Sequence, residues 1–184
     1  AYTADGRCLA MASREYATRH PQAGRAELDS HEVWGKVRDV LAEVAARTAG
    51  DPVSALCTSS LGEAVVPVSR AREILGPSIL CSDARGAEYA AALRRDFGAE
   101  GFYRVNPNSL GPQYTLPKLL WLREHERAFF DRAELWLPWS DLVPFLLGCE
   151  PSCSNSQANR TLLFELDAND WSPRLLEWAG LDRR

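Results

Sequence analysis

Ile74-Leu75-Gly76-Pro77-Ser78-Ile79-Leu80-Cys81-Ser82-Asp83-Ala84-Arg85 is an apolar run that breaks into a short polar segment. A helical pattern follows at once: Tyr89, Leu93 and Phe97 fall at i, i+4 and i+8, and Gly98 supplies a stop. Strand, polar loop and helix in that order are the unit of an α/β domain, and loops at strand ends are where such domains place ligands. Asp83 is read as the N-cap of the helix, with Arg85 as its ion-pair partner.

Working backwards, Ala64 to Val68 reads as a strand that Pro67 moves toward an edge. Val53 to Thr58 reads as a short buried strand before it. Asp29 followed by Glu32 is a capping-box pattern, and Val33, Val37, Val40, Leu41, Val44 and Thr48 mark one face of a helix that Gly50 and Asp51-Pro52 end. At the start, Asp5-Gly6 between two short runs predicts a hairpin. Its first arm is only four residues, and Leu181-Asp182-Arg183-Arg184 follows directly on a helix-like stretch. We therefore expect the chain to be cut at both ends.

Working forwards from residue 99, the pattern is mostly helical. Thr115 is read as the cap of a helix with Pro117 in its first turn. Leu135 to Leu137 is extended, Pro138 opens a helix that Gly148 ends, Leu162 to Leu166 reads as a strand, and a last helix covers Arg174 to Trp178. The expectation is one α/β domain over residues 1–184: a mixed sheet with helices over 1–98 and a mostly helical part over 99–184.

The composition excludes several classes. Of 184 residues, 46% are apolar and 25% charged, the make-up of a globular domain with a real core. Lys and Arg number 21 against 25 Asp and Glu, a net charge of -4, so no nucleic-acid partner is expected. Runs such as Leu142 to Leu147 are too short for a bilayer, so no membrane is expected either. Five cysteines, at 8, 57, 81, 149 and 153, fit reduced thiols in a cytoplasmic protein. No G-x-x-x-x-G-K-[ST] or G-x-G-x-x-G loop occurs, and His20, His31 and His125 are remote from Cys149 and Cys153, so no metal site is expected.

Two polar loops and one lysine remain. Glu63, beside Gly62 in a loop leading into a strand, is either an ordinary turn glutamate or a carboxylate that accepts hydrogen bonds from vicinal hydroxyls. The Asp83–Arg85 pair is either a cap with its salt bridge or a second polar wall. Lys118, near a helix N-terminus, opposes the helix dipole; it is either solvated or held by a partner.

Taken in order, these segments resemble the N-terminal domain of the FGGY carbohydrate kinases. The matching pieces are Asp5-Gly6-Arg7, Ala26 to Asp29 with Val33-Trp34, Val53 to Val68, Pro77 to Arg85, Leu116-Pro117-Lys118-Leu119-Leu120-Trp121-Leu122-Arg123-Glu124, and Ser156 to Phe164 with Asp170-Trp171-Ser172. The resemblance covers essentially the whole chain. It implies an actin-like (ASKHA, ribonuclease H-like) fold and an enzyme that uses ATP and Mg2+ to phosphorylate a hydroxyl of a sugar or polyol, a pentulose such as xylulose favoured. By the same resemblance, Gly62 and Glu63 fall where relatives carry Met-His or Arg-Glu against substrate hydroxyls. Asp83 and Arg85 match a pair beside the sugar cleft, and Gln113 or Tyr114 falls near a substrate-contacting aromatic.

The resemblance also implies parts outside this chain. The phosphate-binding "D-x-G-T" strand would precede Ala1. The general base and the ATP-binding C-terminal domain would follow Arg184. The expected partners are a small sugar or polyol, that missing kinase domain, and a second copy in a homodimer. ATP and Mg2+ are expected to bind the parent enzyme and not these residues alone. A second reading is a non-catalytic sugar-binding or interaction module that keeps the kinase fold. If the first strand is missing, either a gap should separate the hairpin from Val53 to Thr58 or an added strand should fill it.

Overall fold

The computed structural model describes residues 1–182. Asp29 caps the first helix as read: its carboxylate accepts from the backbone N–H of His31 and Glu32, both at 3.0 Å, at the start of α1 (Ser30–Arg47). Glu32 does not complete the box; it pairs with Lys36 at 2.7 Å. Val33 is buried on the predicted stripe, while Val37, Val40, Leu41 and Val44 are only half-buried.

The strands form three short antiparallel pairs. β1 (Glu27–Leu28) pairs with β3 (Ser78–Ile79), β2 (Val65–Val68) with β4 (Leu135–Pro138), and β5 (Phe164–Glu165) with β6 (Asp170–Trp171). Every residue of β2 is buried, and Val66 lies opposite Leu137. Pro67 costs β2 no bond to β4. Its carbonyl accepts from Leu75 at 2.9 Å, so its N–H-less nitrogen also faces the Ile74 return.

Val53 to Thr58 corrects the sequence reading. It forms no strand, and Val53 and Leu56 are 51% and 50% exposed. A strand is buried by its neighbours, and here no ladder partner lies on either side among the described residues. The predicted hairpin at Asp5-Gly6 is likewise reduced to one bridge, Tyr2 to Cys8. Residues 1–12 and 53–58 share no ladder, so three antiparallel pairs stand in place of one mixed sheet across these stretches.

The helices are α2 (Ala87–Phe97), α3 (Ala99–Val105), α4 (Thr115–His125), α5 (Arg127–Arg132), α6 (Trp139–Leu146), α7 (Asn155–Asn159) and α8 (Pro173–Ala179). Pro138 stands at the N-cap of α6 as expected. Thr115 is the first residue of α4 rather than its cap; extended Tyr114 holds that place, and Pro117 sits where a first-turn N–H has no helical acceptor. Two cores result. One gathers Leu28, Val33, Val66, Val68, Leu137 and Leu142; the other gathers Leu93, Phe102, Leu116, Leu120, Leu162 and Leu175. Each draws on both sides of residue 98. Trp139 ties α6 to β3 by donating to Ser78 Oγ at 3.1 Å. No helix among the described residues is long and apolar enough to cross a membrane.

Gly86, not Asp83, precedes α2, and no side chain caps that helix. Gly86 has φ +86, and a Cβ there would collide with the Pro117 carbonyl of α4. Gly86→Ala combines a left-handed backbone with overpacking, so it should cost at least about 2 kcal/mol. An unchanged urea midpoint would contradict the close approach of α2 to α4.

Candidate functional site

Two polar clusters flank the first turn of α4. The first is internal. The Asp83 side chain is fully buried. Its Oδ2 accepts from the Ala26 N–H and from Arg85 NH2, both at 2.7 Å, and its Oδ1 accepts from the Arg85 backbone N–H and Nε, both at 2.9 Å. Arg85 NH2 also reaches Glu27 Oε1 at 2.5 Å, and its guanidinium lies over the Trp121 ring at 5.2 Å. Burial alone would raise the Asp83 carboxyl, but the bonds from Arg85 and Ala26 hold it below its ordinary value. Asp83 is thus not a helix cap. It fastens the β3–α2 loop to the chain entering β1, which is why it lies four residues ahead of α2.

Lys118 completes this knot. It is 2% exposed. Its Nζ donates to the carbonyls of Asp83 and, at 2.9 Å, Arg85, and lies 3.9 Å from Asp83 Oδ1. Of the two readings of this lysine, the held one is correct.

The second cluster is built on Glu63, just ahead of β2 and 9% exposed. Both of its side-chain bonds come from Arg160, from Nε at 2.9 Å and from NH2, and both land on Oε1. Arg160 NH1 donates to Asn108 Oδ1 at 2.8 Å, and the guanidinium covers the Tyr114 ring at 4.6 Å. Asn108 donates to Asn106 Oδ1 at 2.7 Å, and fully buried Asn106 donates to the Phe164 carbonyl at 2.9 Å. Thr115 Oγ1 donates to the Glu63 carbonyl at 3.0 Å, which fixes the glutamate backbone to α4.

The six residues singled out in the sequence therefore divide. Glu63, Gly62 and Tyr114 meet around Arg160, whereas Asp83 and Arg85 sit in the internal knot. Gln113 folds back against Gly111. Arg160 and Asn108 are additions. Arg160 stands inside the Ser156 to Phe164 motif at a position with no role attached to it. Nothing in the spacing of Asn106-Pro107-Asn108 marks Asn108. A surface hollow lined by His31, Trp34, Arg72 and Arg132 has no residue in common with either cluster. Among the described residues no three His, Cys, Asp or Glu side chains converge as metal ligands, and the five cysteines carry free thiols.

Burial pushes the Lys118 ammonium down to about 8 from 10.5, against the pull of Asp83. Between those two values the unfolded chain binds a proton that the folded chain has lost, so Lys118 makes stability rise with pH. Denaturant midpoints should increase from pH 8 to 10 in the native chain relative to Lys118→Met, which lacks the titrating group. Equal slopes in both would show that Lys118 does not titrate there.

Over residues 1–184 the chain matches the family described as FGGY family of carbohydrate kinases, N-terminal domain. It is 29% identical to the glycerol kinase of Thermus brockianus, over 99% of this chain and 39% of that protein. It is 24% identical to the xylulose kinase of Staphylococcus xylosus, over 92% of this chain and 35% of that protein. The xylulose kinase of Rhodospirillum rubrum superposes with a TM-score of 0.86 at 27% identity, covering 95% of this chain and 37% of that one. The chain spans less than two-fifths of each of these relatives. Its α/β fold is the actin-like ATPase fold of the sugar kinases, and the chain belongs to the FGGY family of carbohydrate kinases, as the N-terminal domain.

Proposed function

We propose that this chain is the sugar-binding wall of an ATP-dependent kinase that phosphorylates a hydroxyl of a sugar or polyol, a five-carbon ketose such as xylulose favoured. The observation that carries the reading is the half-engaged carboxylate of Glu63. Arg160 takes Oε1 and leaves Oε2 with no partner among the described residues. A carboxylate accepts and never donates, so the free oxygen suits a neutral polyol, whose hydroxyls supply donors. Buried Tyr114 and the Gly62 backbone border the same place.

Phosphoryl transfer depends almost wholly on positioning and on stabilising charge at the phosphoryl group. This chain's contribution is the first: it holds the acceptor sugar. ATP and Mg2+ would supply the phosphoryl group and its charge neutralisation. The family resemblance assigns the nucleotide site and the general base to chain outside residues 1–184. Asp83, Arg85 and Lys118 bond one another and backbone groups, so we place neither ATP nor Mg2+ on them.

Glycerol is the second reading. Glu63 falls at the glutamate of the Arg-Glu pattern, and a Thermus brockianus glycerol kinase is 29% identical. Gly62 in place of the arginine removes one donor from that pattern. This departure favours a substrate other than glycerol.

In the parent kinase, Glu63→Ala should lower kcat/KM for the accepted sugar by the equivalent of about 1–3 kcal/mol, the cost of a lost charge-assisted hydrogen bond. Steady-state kinetics over pentuloses, aldonates and glycerol check this, and unchanged values for every accepted sugar would overturn the role of Glu63. Purified residues 1–184 should show no sugar-dependent ATP consumption. Measurable turnover would contradict the placement of the general base and nucleotide site outside them.

A further inference from the structure

Gly62 packs so closely on Arg160 that position 62 has no room for a side chain. A Cβ on Gly62 would lie 2.8 Å from Arg160 Cγ and 2.9 Å from its Cβ, closer than carbon atoms pack. The guanidinium that passes this point grips Glu63 Oε1, Asn108 Oδ1 and the Tyr114 ring together. Asn108 is held in turn by fully buried Asn106. The grip is one-sided, because no protein donor among the described residues takes Glu63 Oε2.

From this geometry we infer that Arg160 is a positioning residue for sugar binding, and that Gly62 is there to admit it. The inference rests on the reading of Glu63 as the hydroxyl acceptor. Arg160 locks one carboxylate oxygen and so aims the other. Gly62 is then a space-maker for the arginine rather than a sugar contact. Its lack of a side chain is a constraint from within the protein, not from the ligand. Lysine cannot replace the arginine, since a single ammonium cannot present the planar fork that spans Glu63 and Asn108.

The test is a set of variants in the full-length kinase: Glu63→Ala, Arg160→Ala, Arg160→Lys, Gly62→Ala and the double change of Glu63→Ala with Arg160→Ala. Arg160→Ala should raise the sugar KM about ten- to hundredfold while the ATP KM stays fixed, the size expected when a charge-assisted contact loses its geometry. Gly62→Ala should do the same in milder form. Glu63→Ala with Arg160→Ala should be no worse than Glu63→Ala, because the pair acts through one contact. Arg160→Lys should not restore the sugar KM.

An unchanged sugar KM in Arg160→Ala, multiplying effects in the Glu63–Arg160 pair, or full rescue by lysine would overturn the inference. So would a parallel rise of both KM values with a lowered thermal midpoint, which marks a merely structural residue. If Glu63→Ala leaves the sugar KM unchanged, the reading of Glu63 falls and this inference with it. If Glu63→Ala raises it and Arg160→Ala does not, only the inference falls.

Discussion

Lys118 carries an ammonium group into the interior at 2% exposure, and the arrangement of the site follows from the oxygens that make this tolerable. A buried charge is costly unless it is paired and hydrogen-bonded. Lys118 meets that condition only if the carbonyls of Asp83 and Arg85 turn toward α4. The loop can do so because the Asp83 carboxylate is anchored by the Ala26 N–H and by Arg85, and because Gly86 takes a positive φ against Pro117. Asp83, Arg85 and Gly86 are therefore parts of one fitting whose other half is the first turn of α4.

That turn also serves the second cluster. Thr115, three residues before Lys118, holds the Glu63 carbonyl, and Tyr114 offers its ring to Arg160. A shift of α4 would move the acceptor carboxylate and the guanidinium together. Under the proposed role of Glu63, the knot bears on sugar binding by holding the helix from which the second cluster hangs. Its chemistry is internal, but its geometry is felt where a hydroxyl would be received. Near residue 83, an Asp-x-Arg pattern reads equally well as a site and as a brace; the hydrogen bonds that Asp83 makes with Ala26 and Arg85 are those of a brace.

Elements whose ends are set by local chemistry were legible in the sequence. Asp29 has a short acceptor at the right offset from two free N–H groups, and Pro138, the last residue of β4, has a ring-fixed φ of -56 and no N–H to leave unpaired at a helix start, so α1 and α6 start where read. Val53 to Thr58 was not legible, because burial of a strand is conferred by neighbours and none pairs with it among the described residues. Asp83 looks like a cap because a cap and a buried brace use the same residue; only the Ala26 N–H, 57 residues away, separates them. Glu63 was visible as a carboxylate in a polar loop. Its partner Arg160 lies 97 residues on, beyond any local signal.

The central claim is that Glu63 receives a substrate hydroxyl on the oxygen Arg160 leaves open. A crystal structure of the parent kinase with a bound pentulose tests it most directly. The account predicts a sugar hydroxyl within about 3 Å of Glu63 Oε2, the ordinary hydrogen-bond distance, with Arg160 still on Oε1. A sugar bound away from Glu63, or an Arg160 that has left the carboxylate to grip the sugar itself, would contradict it.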